Sequence, residues 1–301
     1  MIRASGLIFG LIVGLFLIVF RYFQINFVLT VDDLKRRTNA TILGIIPKYK
    51  TPLEYSQVVV VNSPKSGISE AFRTVRASLQ FLPSQNKSKV ITTTSTIPGE
   101  GKTFVGINLA AIYSMLGRRV IIVDLDLRKP RLAKVFNINP EHGVSTLLTG
   151  QSELEDCIYE SGVTNLDFIP CGPIPPNPSE LIMLPRMQEL IDELRLKYDF
   201  IFIDTPPIGI VTDAIEVIKK ADYPIYVFRA GYSQKDFLNN VNSIIQENGI
   251  QMSIVLNDFG NGPSEYATSS GKGYGYGNNY SYGYGYGYGY GYGYGYTYGV
   301  S

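Results

Sequence analysis

Short runs of β-branched and aromatic residues alternate along this chain with stretches whose apolar positions recur every three or four residues. Val90–Thr94, Val120–Val123 and Phe200–Ile203 are continuous runs, the pattern of parallel strands buried on both faces. Ile42–Pro47, Leu166–Pro170, Ile225–Phe228 and Ser253–Leu256 read as further strands. Between them, Ile68, Phe72, Val75, Leu79 and Leu82 mark one face of a helix. Thr103–Leu116 predicts a helix closed by Gly117. Asn177-Pro178-Ser179-Glu180 starts another, Pro185 interrupts the pattern, and Arg186–Lys197, Ala214–Lys220 and Lys235–Glu247 continue the helical series. Strands that alternate with helices predict an α/β class: a mostly parallel sheet with helices on both faces.

The two ends break this rhythm. Gly6 to Phe20 carries no charge, and Ser5–Phe23 gives about 18–19 residues, enough for a transmembrane helix. Basic residues follow it (Arg21, Lys35, Arg36, Arg37, Lys48, Lys50), while only Arg3 precedes it, which puts the bulk of the chain in the cytoplasm by the positive-inside rule. No small-residue cleavage site follows, which disfavours a signal peptide. Gly6, Gly10 and Gly14, four apart, suit a close helix–helix contact. Val31–Lys50 reads as a basic juxtamembrane connector able to touch anionic lipid, and Thr51–Lys65 as a linker. From Gly271 to Ser301 the chain is Gly-Tyr alternation without an aliphatic core and is expected to be disordered. The resulting division is 1–30 membrane span and flanks, 31–65 juxtamembrane segment and linker, 66–262 α/β domain and 263–301 tail.

Composition narrows the chemistry. The net charge is +1, so charge points to no nucleic-acid partner. His142 is the only histidine, which argues against a His-based triad or a His-rich metal site. Cys157 and Cys171 make no disulfide framework, in keeping with a reducing compartment.

The chemistry is concentrated at three strand ends. Lys89–Thr103, KVITTTSTIPGEGKT, is a strand, a glycine loop and a helix start in the order a phosphate site needs: backbone N–H groups and the helix dipole favour the anion. Lys102 is placed to reach β/γ-phosphates and the Thr103 hydroxyl to sit on Mg²⁺. Thr96 stands where G-x-x-x-x-G-K-[ST] has its first glycine. Val120–Val123 ends in Asp124-Leu125-Asp126, and alternation over D-L-D points both carboxylates one way if the strand persists. Paired carboxylates facing a phosphate suit Mg²⁺, and one could take the proton of an attacking hydroxyl. Phe200–Ile203 ends in Asp204, the Walker B form. Three acid- or phosphate-tipped strands together imply a P-loop NTPase-like site at the carboxyl edge of the sheet.

With these residues in view, the chain resembles the bacterial tyrosine kinases of capsule and exopolysaccharide export. The resemblance rests on Ser95–Thr103 as Walker A, Val120–Pro130 as the second acidic motif, Gly172–Leu181, Phe200–Pro207 as Walker B, and the terminal tyrosine cluster. It implies an ATP- and Mg²⁺-dependent protein-tyrosine kinase related in fold to the partitioning ATPases, whose extra early lysine is replaced here by Ile97-Pro98. Pro98, Gly99, Glu100, Gly101, Lys102, Thr103 and Phe104 would hold the nucleotide; Thr103 would bind Mg²⁺ directly, and Asp126 and Asp204 its water shell. Lys102, Asp124 and Asp126 would be catalytic, with Asp124 the base. Glu70, Arg73 and Arg76 match the family's oligomerisation motif and imply a homo-oligomer, with a ring expected. Tyr274, Tyr276, Tyr280, Tyr282, Tyr284, Tyr286, Tyr288, Tyr290, Tyr292, Tyr294, Tyr296 and Tyr298 would be the phosphoacceptors, modified between subunits.

The expected setting is the inner or plasma membrane, with a membrane activator and polysaccharide export machinery as partners. Membrane-bound family members carry an earlier span and an external domain, whereas this chain begins almost at the second span. The chain is read as a fragment, a split-gene product or one with a misassigned start, which bears on chain-length control by this polypeptide alone and not on the kinase chemistry. The rival readings are a membrane-associated partitioning-type ATPase switch and a nucleotide-binding membrane scaffold without catalysis.

Overall fold

Eight strands form one sheet: β1 (Thr41–Pro47), β2 (Lys89–Thr94), β3 (Val120–Asp124), β4 (Tyr159–Val163), β5 (Leu166–Ile169), β6 (Phe200–Asp204), β7 (Tyr223–Arg229) and β8 (Ser253–Phe259). Their spatial order is β1-β8-β7-β2-β6-β3-β5-β4, parallel throughout except for the β4–β5 hairpin. The computed structural model describes residues 10–16, 26–49, 58–209 and 214–260. The expected membrane span and the tail tyrosines lie outside these, apart from a helical stretch at 10–16. No helix among the described residues is long and apolar enough to cross a membrane.

The central strands are buried along nearly their whole length, only Lys89 and Phe200 at the starts of β2 and β6 being half-buried, because helices cover both faces. On one face lie α1 (Gly67–Gln80) and α2 (Lys102–Ser114), which bring Phe72, Val75 and Leu79 against Ile107 and Ile112. Helix α2 is apolar all round and buried on nearly every side, as a central helix must be. On the opposite face α3 (Pro185–Lys197) packs Leu190, Ile191 and Leu194 against Ile201 and Ile203. Beside it, α4 (Phe237–Asn248) covers Tyr226, Phe228 and Ile254.

Two expectations need correction. Val31–Lys50 is not merely a solvated connector: Thr41–Pro47 pairs with β8 as the edge strand, and Leu43 and Ile46 are buried. Nor is the described part of Thr51–Lys65 a free linker. Val58, Val59 and Val60 are buried, and the Val60 N–H donates to Asn108 Oδ1 of α2 at 3.2 Å. In both places a short apolar run is drawn into the core by partners far along the chain. β4 gave no sequence signal, since Ser161 and Gly162 interrupt its alternation.

Candidate active site

β6 lies between β2 and β3, and the pairing register sets Asp204 opposite both Thr93 and Asp124. The loop after β2 and the acidic turn after β3 therefore flank Asp204 at the carboxyl edge of the sheet. Lys102, the first residue of α2, sits among these carboxylates. Its Nζ lies 2.9 Å from Asp126 Oδ2 and 3.4 Å from Asp204 Oδ2. The Thr103 hydroxyl donates to Asp204 Oδ2. Burial works against the Lys102 charge, but Asp204 and Asp126 more than offset it and hold its pKa above the ordinary lysine value. Asp204 is pushed up by complete burial, against the pull of Lys102 and Thr103.

Asp124 and Asp126 both reach the site, though not by strand alternation. β3 stops at Asp124, and a tight turn follows, with the Leu127 N–H on the Leu125 carbonyl. Asp126 Oδ1 accepts the Lys129 N–H at 3.2 Å. Asp124 Oδ2 accepts the Arg131 and Leu132 N–H groups, each at 3.0 Å. Its Oδ1 is buried and has no hydrogen-bond partner in the described residues. Burial first, then the Asp204 charge, push the Asp124 carboxyl up to about 7.

The glycine loop is shaped from within. Glu100 is fully buried; its Oε2 accepts the N–H groups of Thr96 at 2.6 Å and Ile97 at 2.9 Å, and its Oε1 accepts the Ser233 hydroxyl. Burial raises the Glu100 pKa, with Ser233 and the two N–H groups pulling the other way. The Glu100 side chain therefore faces the protein, and only its backbone is available to a ligand. Pro98 has no N–H to offer; its carbonyl accepts the Tyr232 hydroxyl at 3.0 Å. Gly101 has φ +98°, and a Cβ there would fall 2.1 Å from Asn257 Nδ2, which donates to the Glu100 carbonyl. Thr96 in place of glycine is explained by its hydroxyl, 2.6 Å from the Tyr226 hydroxyl. Ser233, Tyr232, Asn257 and Tyr226 lie about 130 or more positions from the loop and carry no motif, so no local pattern could have revealed them.

These groups fit a nucleotide phosphate and Mg²⁺. The glycine loop leads straight into the N-terminus of α2, one buried Asp124 oxygen has no partner among the described residues, and the remaining donors are oxygens, which Mg²⁺ takes in small number beside phosphates and water. No group of three or more His, Cys, Asp or Glu among the described residues is disposed to hold a metal alone.

The other expected residues lie elsewhere. Glu70 and Arg73 form an ion pair on α1, and Arg73 also donates to the Pro64 carbonyl at 2.8 Å. Among the described residues, the half-buried Arg76 has no hydrogen-bond partner for its Nε. His142 contacts Ser152, and both cysteines are buried and unbridged.

Comparison with known proteins bears on this arrangement. A family model described as an AAA domain matches residues 88–254. Tyrosine-protein kinase wzc of Salmonella typhimurium is 37% identical over 224 residues, 74% of this chain and 31% of that protein. Tyrosine-protein kinase YwqD of Bacillus subtilis is 36% identical, over 60% of this chain and 76% of that protein. The kinase domain of the Escherichia coli tyrosine kinase ETK superposes with a TM-score of 0.72 at 28% identity, covering 83% of this chain and 100% of that domain. The chain spans about a third of the length of the Salmonella relative.

Proposed function

This chain belongs to the family of bacterial tyrosine-protein kinases, and from that premise we propose that it transfers the γ-phosphoryl group of ATP to tyrosines of its Gly-Tyr tail. The observation that supports this most is the convergence of Lys102, Asp126 and Asp204, with Asp124 beside them holding an unpartnered oxygen. In the proposed reaction the tyrosine oxygen forms a bond to Pγ while the Pγ–O bond to ADP breaks, and the tyrosine proton passes to Asp124. A carboxylate with a pKa near 7 is well matched to that task at neutral pH. Backbone N–H groups of the loop from Gly99 to Thr103, together with the Lys102 ammonium, hold the phosphates. Thr103, Asp126 and Asp204 would hold Mg²⁺, which supplies charge neutralisation between phosphate oxygens when bound. The rest is positioning in a water-poor site.

The wider reading follows the same premise. Residues 5–23 anchor the chain in the membrane with the catalytic domain, 66–262 together with the packed 26–49 segment, on the cytoplasmic side. The tail, 263–301, is the acceptor. As a Gly-rich coil those residues would span about 35 Å, long enough to reach a neighbouring subunit. Glu70, Arg73 and Arg76 form a contact between subunits of a homo-oligomer, and the biological output is control of capsule or exopolysaccharide polymerisation and export. Incubation with γ-labelled ATP, followed by mapping of the labelled residues, tests the core claim. Label on the tail tyrosines, abolished in Lys102→Met and at least a hundredfold slower in Asp124→Asn, is expected. Released phosphate with an unlabelled tail would instead assign an ATPase switch.

A further inference from the structure

The turn that carries the two acids also carries three cations that the proposed reaction does not use. Arg128, Lys129 and Arg131 are exposed. Among the described residues none of them enters an ion pair, and the one side-chain bond is Arg128 Nη2 to Ser179 Oγ at 2.8 Å. Their backbone is nonetheless fastened to the reaction centre. The Lys129 N–H is 3.2 Å from Asp126 Oδ1 and the Arg131 N–H is 3.0 Å from Asp124 Oδ2. The cationic side chains therefore stand at the rim of a site whose floor is three carboxylates and one lysine.

That rim matters because the product changes sign. The unmodified tail carries no acidic residue from Gly271 onward, so it has nothing to offer a cationic strip. Each phosphorylated tyrosine brings about −1.5 to −2 charges and three acceptor oxygens. Next to Asp124, Asp126 and Asp204 such a group is repelled unless cations stand close by. From Tyr280 to Tyr298 a tyrosine occupies every second position. Two extended residues span about 7 Å, so an adjacent phosphotyrosine falls about one side-chain length outside the site when its neighbour is inside.

We propose that Arg128, Lys129 and Arg131 form a phosphotyrosine-holding strip at the rim of the active site, which retains an already modified tail while the tyrosine two positions along is presented for transfer. This deepens the kinase reading and rests on it for its purpose, but the binding itself needs no catalysis. Guanidinium forks and an ammonium are the donors that phosphate recognition uses. Phosphorylation of one tail would then be clustered: chains become heavily modified while others remain bare.

The test uses the phosphatase-treated full chain in detergent, without ATP. Fluorescent synthetic peptides of residues 281–289 carry either no phosphate or one phosphotyrosine. The phosphopeptide is expected to bind at least about tenfold more tightly, with an affinity that falls as salt rises. The variant Arg128→Gln/Lys129→Gln/Arg131→Gln should abolish that difference, because the charges go while the backbone bonds to Asp124 and Asp126 remain. With ATP added, mass spectrometry of the tail at low turnover should show clustered phosphates in the parent and a statistical spread in the variant. Mixing the Lys102→Met chain, which can be labelled only by a neighbour, with the active chain tells whether the retained tail is the chain's own or another's. Should the triple variant fail to fold, free phosphotyrosine should still compete with the phosphopeptide on the parent chain, and unmodified tyrosine should not. Equal binding of the two peptides overturns the proposal and marks the strip as a solvated face. A raised KM for ATP in the variant, with peptide discrimination intact, assigns the strip to the nucleotide and also overturns it. If the tail takes no label at all, the kinase reading fails, whereas the peptide measurement stands independently.

Discussion

Replacing Lys102 by methionine removes the one cation that the Asp126 and Asp204 carboxylates share, so it should cost stability as well as activity. At an effective dielectric of about 20, unit charges 2.9 Å apart attract by about 6 kcal/mol and those 3.4 Å apart by about 5 kcal/mol. The substitution also removes the cost of burying the ammonium, several kcal/mol, so the net loss should be about 3–5 kcal/mol. The loss should depend on pH in a defined direction. Asp124 and Asp204 already have raised pKa values in the folded protein, so the folded state binds more protons than the unfolded one. As pH rises from about 4, the carboxylate value in unfolded chains, towards 7, stability must fall. Without the ammonium the folded pKa values move higher still, and this fall becomes steeper. The penalty for Lys102→Met should therefore be largest near pH 8 and shrink as pH falls through about 7, where Asp124 takes up its proton and the crowding of carboxylates left without the ammonium is relieved. The chain has no tryptophan and the tail is full of tyrosine, so urea unfolding of the full chain is best followed by far-ultraviolet circular dichroism. A penalty below about 1 kcal/mol at pH 8, or one unchanged between pH 5 and pH 8, would refute the buried cluster as the origin.

Three further outcomes are expected. The kcat/KM for tail phosphorylation should rise with pH and level off above about 7, as Asp124 loses its proton, and Asp124→Asn should flatten that rise. Glu100→Gln should leave the chain folded but weaken ATP binding several-fold, because a neutral amide oxygen holds the Thr96 and Ile97 N–H groups less strongly than a carboxylate oxygen does; isothermal titration with ATP checks this. Tyr226→Phe removes the partner of the Thr96 hydroxyl and should lower stability by about 1–2 kcal/mol in urea melts, with little change in kcat.

The elements that were legible in the sequence are those whose signal is local. Val120–Val123 and Phe200–Ile203 are apolar without interruption because both faces of a central parallel strand are covered, and that burial is written into every residue. Gly101-Lys102-Thr103 is legible because a helix N-terminus that receives phosphate needs a positive φ followed by a donor pair, all within three positions. Thr41–Pro47 could be read as a strand but not as part of the sheet, since its partner β8 lies some 200 residues on. The turn after Asp124 could not be read either. Alternation points both carboxylates one way only if the strand persists; β3 stops at Asp124, and the backbone N–H groups of Lys129, Arg131 and Leu132 give Asp126 and Asp124 different partners.

By itself, then, the sequence determined which residues carry charge at the tips of buried strands, because composition and period are properties of neighbours in the chain. Only the tertiary structure decided what those charges do. The strand order sets β6 between β2 and β3, and this brings Asp204 to Lys102, leaves one Asp124 oxygen unpartnered and pushes that carboxyl towards neutrality. Burial and distance fix a carboxylate's pKa, and both are set by the contacts between elements far apart along the chain.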